Sequence, residues 1–242
     1  MKKYIGTKQV MAEPMDEVTA YNKGFARSYT VSGKDANDKV HEGYHVQYTN
    51  PDGSTYDSWS PKDVFDKAYK VAETPLDRMH IEYDEESERY EKGKQFVDSQ
   101  KFKELDYLAR VLLSAQNETQ REYCYLLSDR KTVMAGETVV PLNYDFGTAL
   151  KFLKAGGVIR RAGWNGKGMF VVKQIPANIK ADIIPNMQSL PQIAKDIILK
   201  RTDAHIDYTN QMLIINQDGR ADSWVPSSSD VFAEDWELVL EP

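Results

Sequence analysis

The chain has 242 residues, a formal net charge of −6, 41% hydrophobic residues and 28% charged residues. This balance excludes wholesale disorder, and the length suffices for two domains or for three small ones. Contacts along a nucleic acid need an evident excess of Lys and Arg, so the acidic charge argues against a protein that coats DNA or RNA. A small anionic ligand needs only a local basic pocket, so composition leaves nucleotides open as ligands.

The single cysteine, Cys124, excludes an internal disulfide and any zinc site that needs several cysteines. No apolar run approaches the ~20 residues that span a bilayer. The segment that starts with Met1-Lys2-Lys3 reaches Gly6 before a signal-peptide core can form. These features predict a cytoplasmic protein.

Residues 1–73 are predicted to form a small β-rich domain. Alternating apolar and polar residues indicate strands at 4–12, 43–48 and 54–59. The turn Asn50-Pro51-Asp52-Gly53 joins the last two strands into a hairpin.

Two further stretches of this domain have local signals. Ser60 and Pro61 are typical of a helix N-cap and a first helical position, which predicts a short helix after the hairpin. The polar stretch 16–42 is predicted to be a loop. Thr74-Pro75 marks the boundary to the next domain, because the residue before a proline avoids helical angles.

Residues 74–137 are predicted to form a long two-helix hairpin. Apolar residues recur at helical spacing over 76–97 and 101–134, and the segment 98–100 breaks the pattern. Two helices cannot bury both apolar faces by themselves, so the hairpin needs a neighbouring domain or another copy of the chain. We therefore expect a homo-oligomer.

Residues 138–242 are predicted to form a compact α+β domain with an antiparallel sheet. Asp145 is a candidate N-cap for a helix that ends at Gly156-Gly157. A further helix is expected over 192–199, and strands are expected at 158–160, 169–175, 212–216 and 237–240. The fold class is therefore α+β: a β-rich domain, a helical hairpin and a compact α+β domain.

A glycine-rich turn, residues 163–168, separates two of these strands. It exposes Trp164, Asn165 and Lys167, which suit a planar anionic ligand because the ring stacks, the amide reads base edges and the cation meets phosphate. The alternative is a hairpin whose tryptophan caps the core. The turn taken alone favours that alternative, since a glycine-rich turn is a weak signal.

Four motifs follow in order: Phe146-Gly147 at the start of a helix, the turn Gly163 to Gly168, Trp224-Val225-Pro226-Ser227, and Asp235-Trp236-Glu237. Together they resemble the Thoeris anti-defence two family of phage proteins over residues 140–240. The resemblance implies a non-enzymatic sponge in the cytoplasm of the infected bacterial host. Its ligand would be a cyclic ADP-ribose isomer made by defence TIR enzymes, such as glycocyclic ADP-ribose.

A second resemblance covers residues 1–134. Tyr4-Ile5-Gly6-Thr7-Lys8, Ser58-Trp59-Ser60-Pro61-Lys62 and the helical pair resemble the Thoeris anti-defence one family, and the helical pair is also similar to the anti-CBASS two family. Both families imply hexameric sponges for cyclic nucleotide signals, including cyclic dinucleotides and trinucleotides. The sequence departs from them at Gly93, which is expected to weaken its helix locally.

The residues expected to bind ligand fall into two groups. The C-terminal group combines rings that stack, polar groups that read ribose and base edges, and cations that meet phosphate: Phe146, Arg161, Trp164, Asn165, Gly166, Lys167, Trp224, Ser228, Ser229 and Asp230. Lys92 and Arg130 form the second group and are expected to line a pocket between protomers. As structural alternatives, a tryptophan caps the core, Asp230 caps the segment 231–235, and the cations are solvated. Trp236 is assigned to the core.

The motifs that catalysis needs are missing from the sequence. The four histidines (His41, His45, His80 and His205) lack metal-ligand spacing, and no phosphate-binding loop or nucleophile elbow is found. We therefore expect no enzymatic activity, no catalytic residue, no metal and no cofactor. The sequence favours a sponge that blocks Thoeris and CBASS defence. The alternatives are a phage structural or adaptor protein that only oligomerises, and a nucleotide hydrolase.

Overall fold

The computed structural model describes residues 9–27, 40–140, 142–164 and 168–240. It has the predicted α+β architecture and divides into two compact units, residues 1–77 and residues 78–242. The helical pair and the C-terminal region share the second unit, while the finer division at residues 73 and 137 stays a prediction. Within the described ranges, every helix is too short or too polar to cross a membrane.

The first unit contains a three-stranded antiparallel sheet. Its strands are β1 (Met11–Pro14), β2 (Gly43–Thr49) and β3 (Thr55–Pro61), in the order β1-β2-β3. The register pairs Val46, which is fully buried, with Ser58. The hairpin predicted around residues 50–53 is confirmed, whereas residues 4–8 of the predicted first strand lie outside the described residues.

Two helices of this unit differ from the sequence prediction. The predicted loop contains helix α1 (Glu17–Asn22), because the Asp16 carboxylate accepts a hydrogen bond from the Thr19 backbone N–H at 2.8 Å and caps the first turn. Helix α2 (Lys62–Ala68) begins after Pro61, not with Ser60 as its cap. Ser60 still pairs with Tyr44 in the sheet, so the strand continues through it.

The helical pair consists of α3 (Pro75–Val97), a single turn α4 (Gln100–Lys103) and α5 (Tyr107–Met134). The predicted unbroken second helix is wrong at residues 104–106. The Asp106 carboxylate accepts a hydrogen bond from the Ala109 N–H at 2.9 Å, which starts α5 afresh. The sequence signal was present, since Asp is among the preferred N-cap residues.

Gly93 marks a close approach between α3 and α5. The side-chain amide of Asn117, which is buried, donates to the Tyr90 carbonyl at 3.0 Å. A Cβ at position 93 would lie 2.6 Å from that amide nitrogen. The glycine expected to weaken its helix is therefore the position that lets Asn117 reach the α3 backbone.

The C-terminal region of the second unit packs helix α6 (Phe146–Lys154) on a five-stranded antiparallel sheet. Its elements, in chain order, are β4 (Ile159–Arg161), β5 (Phe170–Gln174), β6 (Ala177–Lys180), α7 (Gln192–Leu199), β7 (His205–Tyr208), β8 (Gln211–Ile215), β9 (Ala221–Trp224), α8 (Ser228–Val231) and β10 (Trp236–Leu238). The sheet order is β10-β4-β5-β8-β9, while β6 and β7 form a separate pair. The predicted helix over 192–199 is confirmed.

The core of this region lies between α6 and the sheet, and α5 packs against it. Its buried members are Tyr144, Ala149, Leu153, Ile159, Val171, Ala233 and Trp236. The Tyr144 hydroxyl donates to the Asp129 carboxylate at 2.5 Å, and the Asp145 N–H donates to the buried Glu122 carboxylate at 3.2 Å. The C-terminal region of the same chain therefore covers part of the apolar surface of the helical pair.

Candidate functional site

Three tryptophans and a phenylalanine converge at one end of the C-terminal core. Trp236 is fully buried, and the ring centroids of Trp164 and Trp224 lie 5.5 Å and 6.0 Å from it. Trp164 and Trp224 are themselves 6.2 Å apart at 73°, and Phe146 lies 5.4 Å from Trp236. The edge-to-face contacts among the three tryptophans fix the orientations of their rings.

The outer rings of this aromatic cluster stay partly open to solvent. Trp164 and Trp224 are half-buried and pack against the core, whereas Trp236 is closed off and donates its indole N–H to the Asp230 carbonyl at 3.0 Å. The prediction that Trp236 belongs to the core is confirmed. Trp164 and Trp224 each pack one side against the core and leave another side exposed. Capping the core and contacting a ligand, the two roles considered from the sequence, are therefore compatible.

An ion-pair chain lies beside Gly163, at the start of the glycine-rich turn, which we call the tryptophan turn. Arg161 donates from Nε to Asp235 at 2.7 Å and from Nη1 to Asp230 at 3.0 Å. Its side chain is 20% exposed, and the same Nη1 lies 3.3 Å from the Ser229 carbonyl. Two carboxylates therefore already compensate the positive charge of Arg161, and its predicted phosphate contact stays a prediction.

Asp230 is the third residue of the single-turn helix α8, whose N-cap is Ser227. Its carboxylate accepts from the Ser227 N–H at 2.9 Å and from the Ser227 hydroxyl at 2.6 Å, while its own N–H donates back to that hydroxyl at 3.3 Å. This reciprocal arrangement is a capping box. The alternative drawn from sequence, in which Asp230 caps the segment 231–235, is wrong because the helix begins at Ser228 and Ser227 is its N-cap. The capping box holds Ser228 and Ser229 on the exposed outer turn.

The environment keeps both carboxylates of the ion-pair chain ionised. Burial acts to raise the pKa of Asp230, but hydrogen bonds from Ser227, Arg161 and Trp164 outweigh it and lower the pKa. For Asp235, burial is likewise outweighed by hydrogen bonds from Arg161 and the Gly163 N–H, which lower its pKa. The frame behind the turn is therefore charged at neutral pH.

The remaining predicted residues divide by location. Asn165, Gly166 and Lys167 lie outside the described residues. Lys92 and Arg130 lie on α3 and α5, and both are exposed. Lys92 pairs with Glu88 one turn earlier on its own helix at 2.5 Å. The structure thus gathers Phe146, Arg161, Trp164, Trp224, Ser228, Ser229 and Asp230 at one end of the C-terminal domain, and these two cations belong to the helical pair.

Sequence reasoning missed Asp235 as part of this site. Asp235 is the first residue of the Asp235-Trp236-Glu237 motif, and its carboxylate contacts Arg161 and the backbone of Gly163. A local signal was available, because glycine is needed where another group approaches the backbone closely. In the part of the chain that the structure describes, no cluster of His, Cys, Asp and Glu could hold a metal ion.

Comparison with known proteins identifies two regions. Residues 144–239 match the Tad2-like family, described as a Thoeris anti-defense 2-like domain, and residues 73–132 match the Sequestin family. The Thoeris anti-defense 2 protein of Bacillus phage SP01 is 33% identical over 96 residues, which cover 39% of this chain and 92% of that protein.

The resemblance drawn from the sequence over residues 140–240 is confirmed, and the one drawn over residues 1–134 is supported by the Sequestin match over residues 73–132. The aromatic cluster, the ion-pair chain and the capping box all lie inside the Tad2-like match, while α3 to α5 fall within the Sequestin match almost to their ends. The two matches together support a phage anti-defence protein of the sequestering kind. Since the chain covers nearly the whole of its phage relative, it belongs to the Thoeris anti-defense 2 family.

Proposed function

We propose that this protein binds and sequesters a cyclic ADP-ribose isomer, such as glycocyclic ADP-ribose, without degrading it, and so blocks Thoeris defence in the cytoplasm of the infected host. The family supports the anti-defence role. The ligand class is our inference from the chemistry of the site. A cyclic ADP-ribose isomer has a flat base, ribose hydroxyls and a pyrophosphate, and each needs a different protein group.

The observation that carries the proposal is a pair of half-exposed indoles, Trp164 and Trp224, held rigidly on a buried third one. Exposed aromatic faces that are already fixed by packing lose little conformational entropy when a base stacks on them. The hydroxyls of Ser228 and Ser229 lie on the exposed turn that the capping box holds, and they suit ribose. We assign the pyrophosphate to Lys167.

Arg161 and Asp230 have a supporting role in this scheme. Their mutual hydrogen bond and the capping box use the groups that would otherwise face a ligand. An anionic ligand would also be repelled by the second carboxylate of the ion-pair chain. We therefore place these two residues behind the binding surface, with Phe146 packed beneath Trp224 and Trp236.

Calorimetric titration with purified glycocyclic ADP-ribose tests the proposal. We expect saturable binding, with linear ADP-ribose as the control that has the same groups without the closed ring. The absence of any binding heat at micromolar protein concentration would contradict the proposal. Because the described residues hold no metal cluster, we expect chelators to leave the affinity unchanged.

We further propose that the chain works as a homo-oligomer. Tyr107, Leu108, Val111 and Leu112 form an exposed apolar face at the start of α5, and Leu108 and Leu112 are 62% and 60% exposed. Contiguous apolar patches of this kind mark association surfaces. A hexamer follows if the helical pair governs assembly, and a tetramer follows if the C-terminal domain does.

A second ligand class is proposed for the helical pair. The Sequestin match covers this part of the chain, and Lys92 and Arg130 are exposed cations on α3 and α5. Between protomers, such cations would meet the phosphates of a cyclic dinucleotide or trinucleotide, which would extend the protection to CBASS defence. Titration with cyclic trinucleotides, with and without saturating glycocyclic ADP-ribose, tests for a separate site.

A further inference from the structure

We propose that Asp235 is a positioning residue, which holds residues 161–164 in the geometry that presents Trp164 to the ligand and does not touch the ligand itself. This inference rests on the proposed function of Trp164, but the geometry that carries it belongs to a different part of the chain. Asp235 lies directly before β10, which pairs with β4 next to the turn.

Asp235 contacts three consecutive residues that lead into Trp164. Its Oδ1 accepts from Arg161 Nε at 2.7 Å, and its Oδ2 accepts from the Gly163 N–H at 2.9 Å. Its backbone carbonyl accepts from the Ala162 N–H at 2.9 Å. A single residue therefore fixes both the strand end and the first amide of the turn.

The sequence of the turn is adapted to this carboxylate. A Cβ at position 163 would lie 2.7 Å from Asp235 Oδ2, closer than Cβ atoms approach other groups. Any side chain at Gly163 would push the carboxylate away from the backbone N–H. The Trp164 N–H then closes the turn onto the Arg161 carbonyl at 3.3 Å. Gly163 thus lets Asp235 bind the backbone directly before the stacking ring.

Arg161 links Asp235 to the turn that contains Ser229 and Asp230. It joins Asp235 to Asp230 and to the Ser229 carbonyl, so the tryptophan turn and the serine turn share one brace. The side chains of Arg161 and Asp235 are 20% and 28% exposed, with their polar atoms directed at each other. Preorganised groups of this kind lower the cost of ordering the site when a ligand binds.

The test compares Asp235→Asn with Glu237→Gln in the full-length chain. Glu237 is a matched control, because it lies on β10 and pairs with Arg160 of β4 at 2.8 Å, without contacting the turn. Asn keeps the shape but offers one acceptor where Asp235 uses two. We expect Asp235→Asn to weaken glycocyclic ADP-ribose binding about tenfold, the equivalent of one charge-assisted hydrogen bond, and Glu237→Gln to leave it unchanged.

Hydrogen exchange provides a readout that does not need the ligand. The Gly163 amide should exchange faster in Asp235→Asn than in the wild-type protein. The NMR chemical shift of the buried Trp236 indole N–H should stay the same, which shows that the core is intact. If Asp235→Asn does not fold, the same measurements are made on Gly163→Ala. The added methyl group displaces the Asp235 carboxylate and leaves every charge of the protein unchanged. Unchanged affinity and unchanged Gly163 protection would overturn the inference. Failure of the wild-type protein to bind would refute the proposed function alone, and the exchange result would still decide the role of Asp235.

Discussion

At the scale of single residues, the site is built from side chains that serve the fold and the surface together. Trp164 packs edge-on against two other indoles yet remains half-exposed, and Asp230 completes the capping box of α8 while it holds Arg161. Arg161 is paired with two carboxylates, which shows that a cation predicted from the sequence to bind a ligand can instead be held by neighbouring acidic residues. The charge of a residue is visible in the sequence, but its partner is fixed by packing.

The first prediction concerns Trp164. Trp164→Ala should weaken binding of glycocyclic ADP-ribose by ~1–3 kcal/mol, the usual contribution of one aromatic stack, and leave the fold intact because Trp164 is only half-buried at the edge of the core. Calorimetry gives the affinity and circular dichroism checks the fold. Tyr56→Ala, which removes a surface ring in the first unit, is the control and should bind normally. Wild-type affinity in folded Trp164→Ala would exclude stacking on this ring.

The second prediction is a pH dependence in the first unit. His45 lies between Glu13 at 3.1 Å and Asp57 at 2.8 Å, with Phe25 stacked on its ring at 4.2 Å. Burial acts to lower the pKa of His45, but the hydrogen bonds to Asp57 and Glu13 outweigh it and raise the pKa. A raised pKa stabilises the fold fully below about pH 6.5, and this stabilisation is lost as the pH rises through the folded value.

The measurement is hydrogen exchange of the β2 amides at pH 6 and pH 8.5, after correction for the intrinsic exchange rate. Protection should fall at the higher pH in the wild-type protein, and the fall should vanish in His45→Gln. An equal pH response in both proteins would show that another group is responsible.

At the scale of elements, the contact between Gly93 and Asn117 fixes the register of α3 against α5. Gly93→Ala should destabilise the protein although Ala favours helices, because the added methyl displaces the Asn117 amide. In an Asn117→Ala background the same change should stabilise by up to ~1 kcal/mol, the usual helix-propensity gain. Urea unfolding of the four proteins gives the coupling free energy. A stabilising Gly93→Ala in the wild-type background would contradict the close contact.

Elements with strong local signals could be predicted from the sequence. The β2-β3 hairpin, the Asp145-capped helix α6 and α7 all have turn or cap residues beside a clear periodicity. Helix α1 was missed because its cap, Asp16, opens a polar stretch where capping and loop residues look alike. The start of α5 was missed because Leu105 and Leu108 continue the apolar periodicity on both sides of its cap, Asp106. The aromatic cluster followed from motifs, whereas the role of Asp235 depends on contacts across more than 70 residues.

At the scale of the whole molecule, the Sequestin and Tad2-like regions share one compact unit, and α5 contacts the C-terminal core through Asp129 and Glu122. The exposed apolar face at the start of α5 is the surface through which we propose that copies of the chain associate. Fully burying one leucine is worth ~1.5–3 kcal/mol, so this face favours association.

The fourth prediction tests that association. The wild-type chain should form a particle well above 27.6 kDa in light scattering coupled to size exclusion, and Leu108→Glu with Leu112→Glu should shift it toward the monomer. Ile193→Glu, which places a charge on an exposed apolar residue of α7, is the matched control and should keep the wild-type size. A wild-type monomer at micromolar concentration would refute the assembly.

The central claim is that the protein stores an immune signal intact. The most direct measurement incubates purified protein with glycocyclic ADP-ribose, removes the free ligand, heats the complex and identifies the released molecule by chromatography and mass spectrometry. We predict recovery of the unchanged cyclic molecule in a fixed ratio to protein, even after long incubation. A hydrolysed or rearranged product would make the protein an enzyme, and release of nothing would leave only a scaffold, so either result would contradict sequestration.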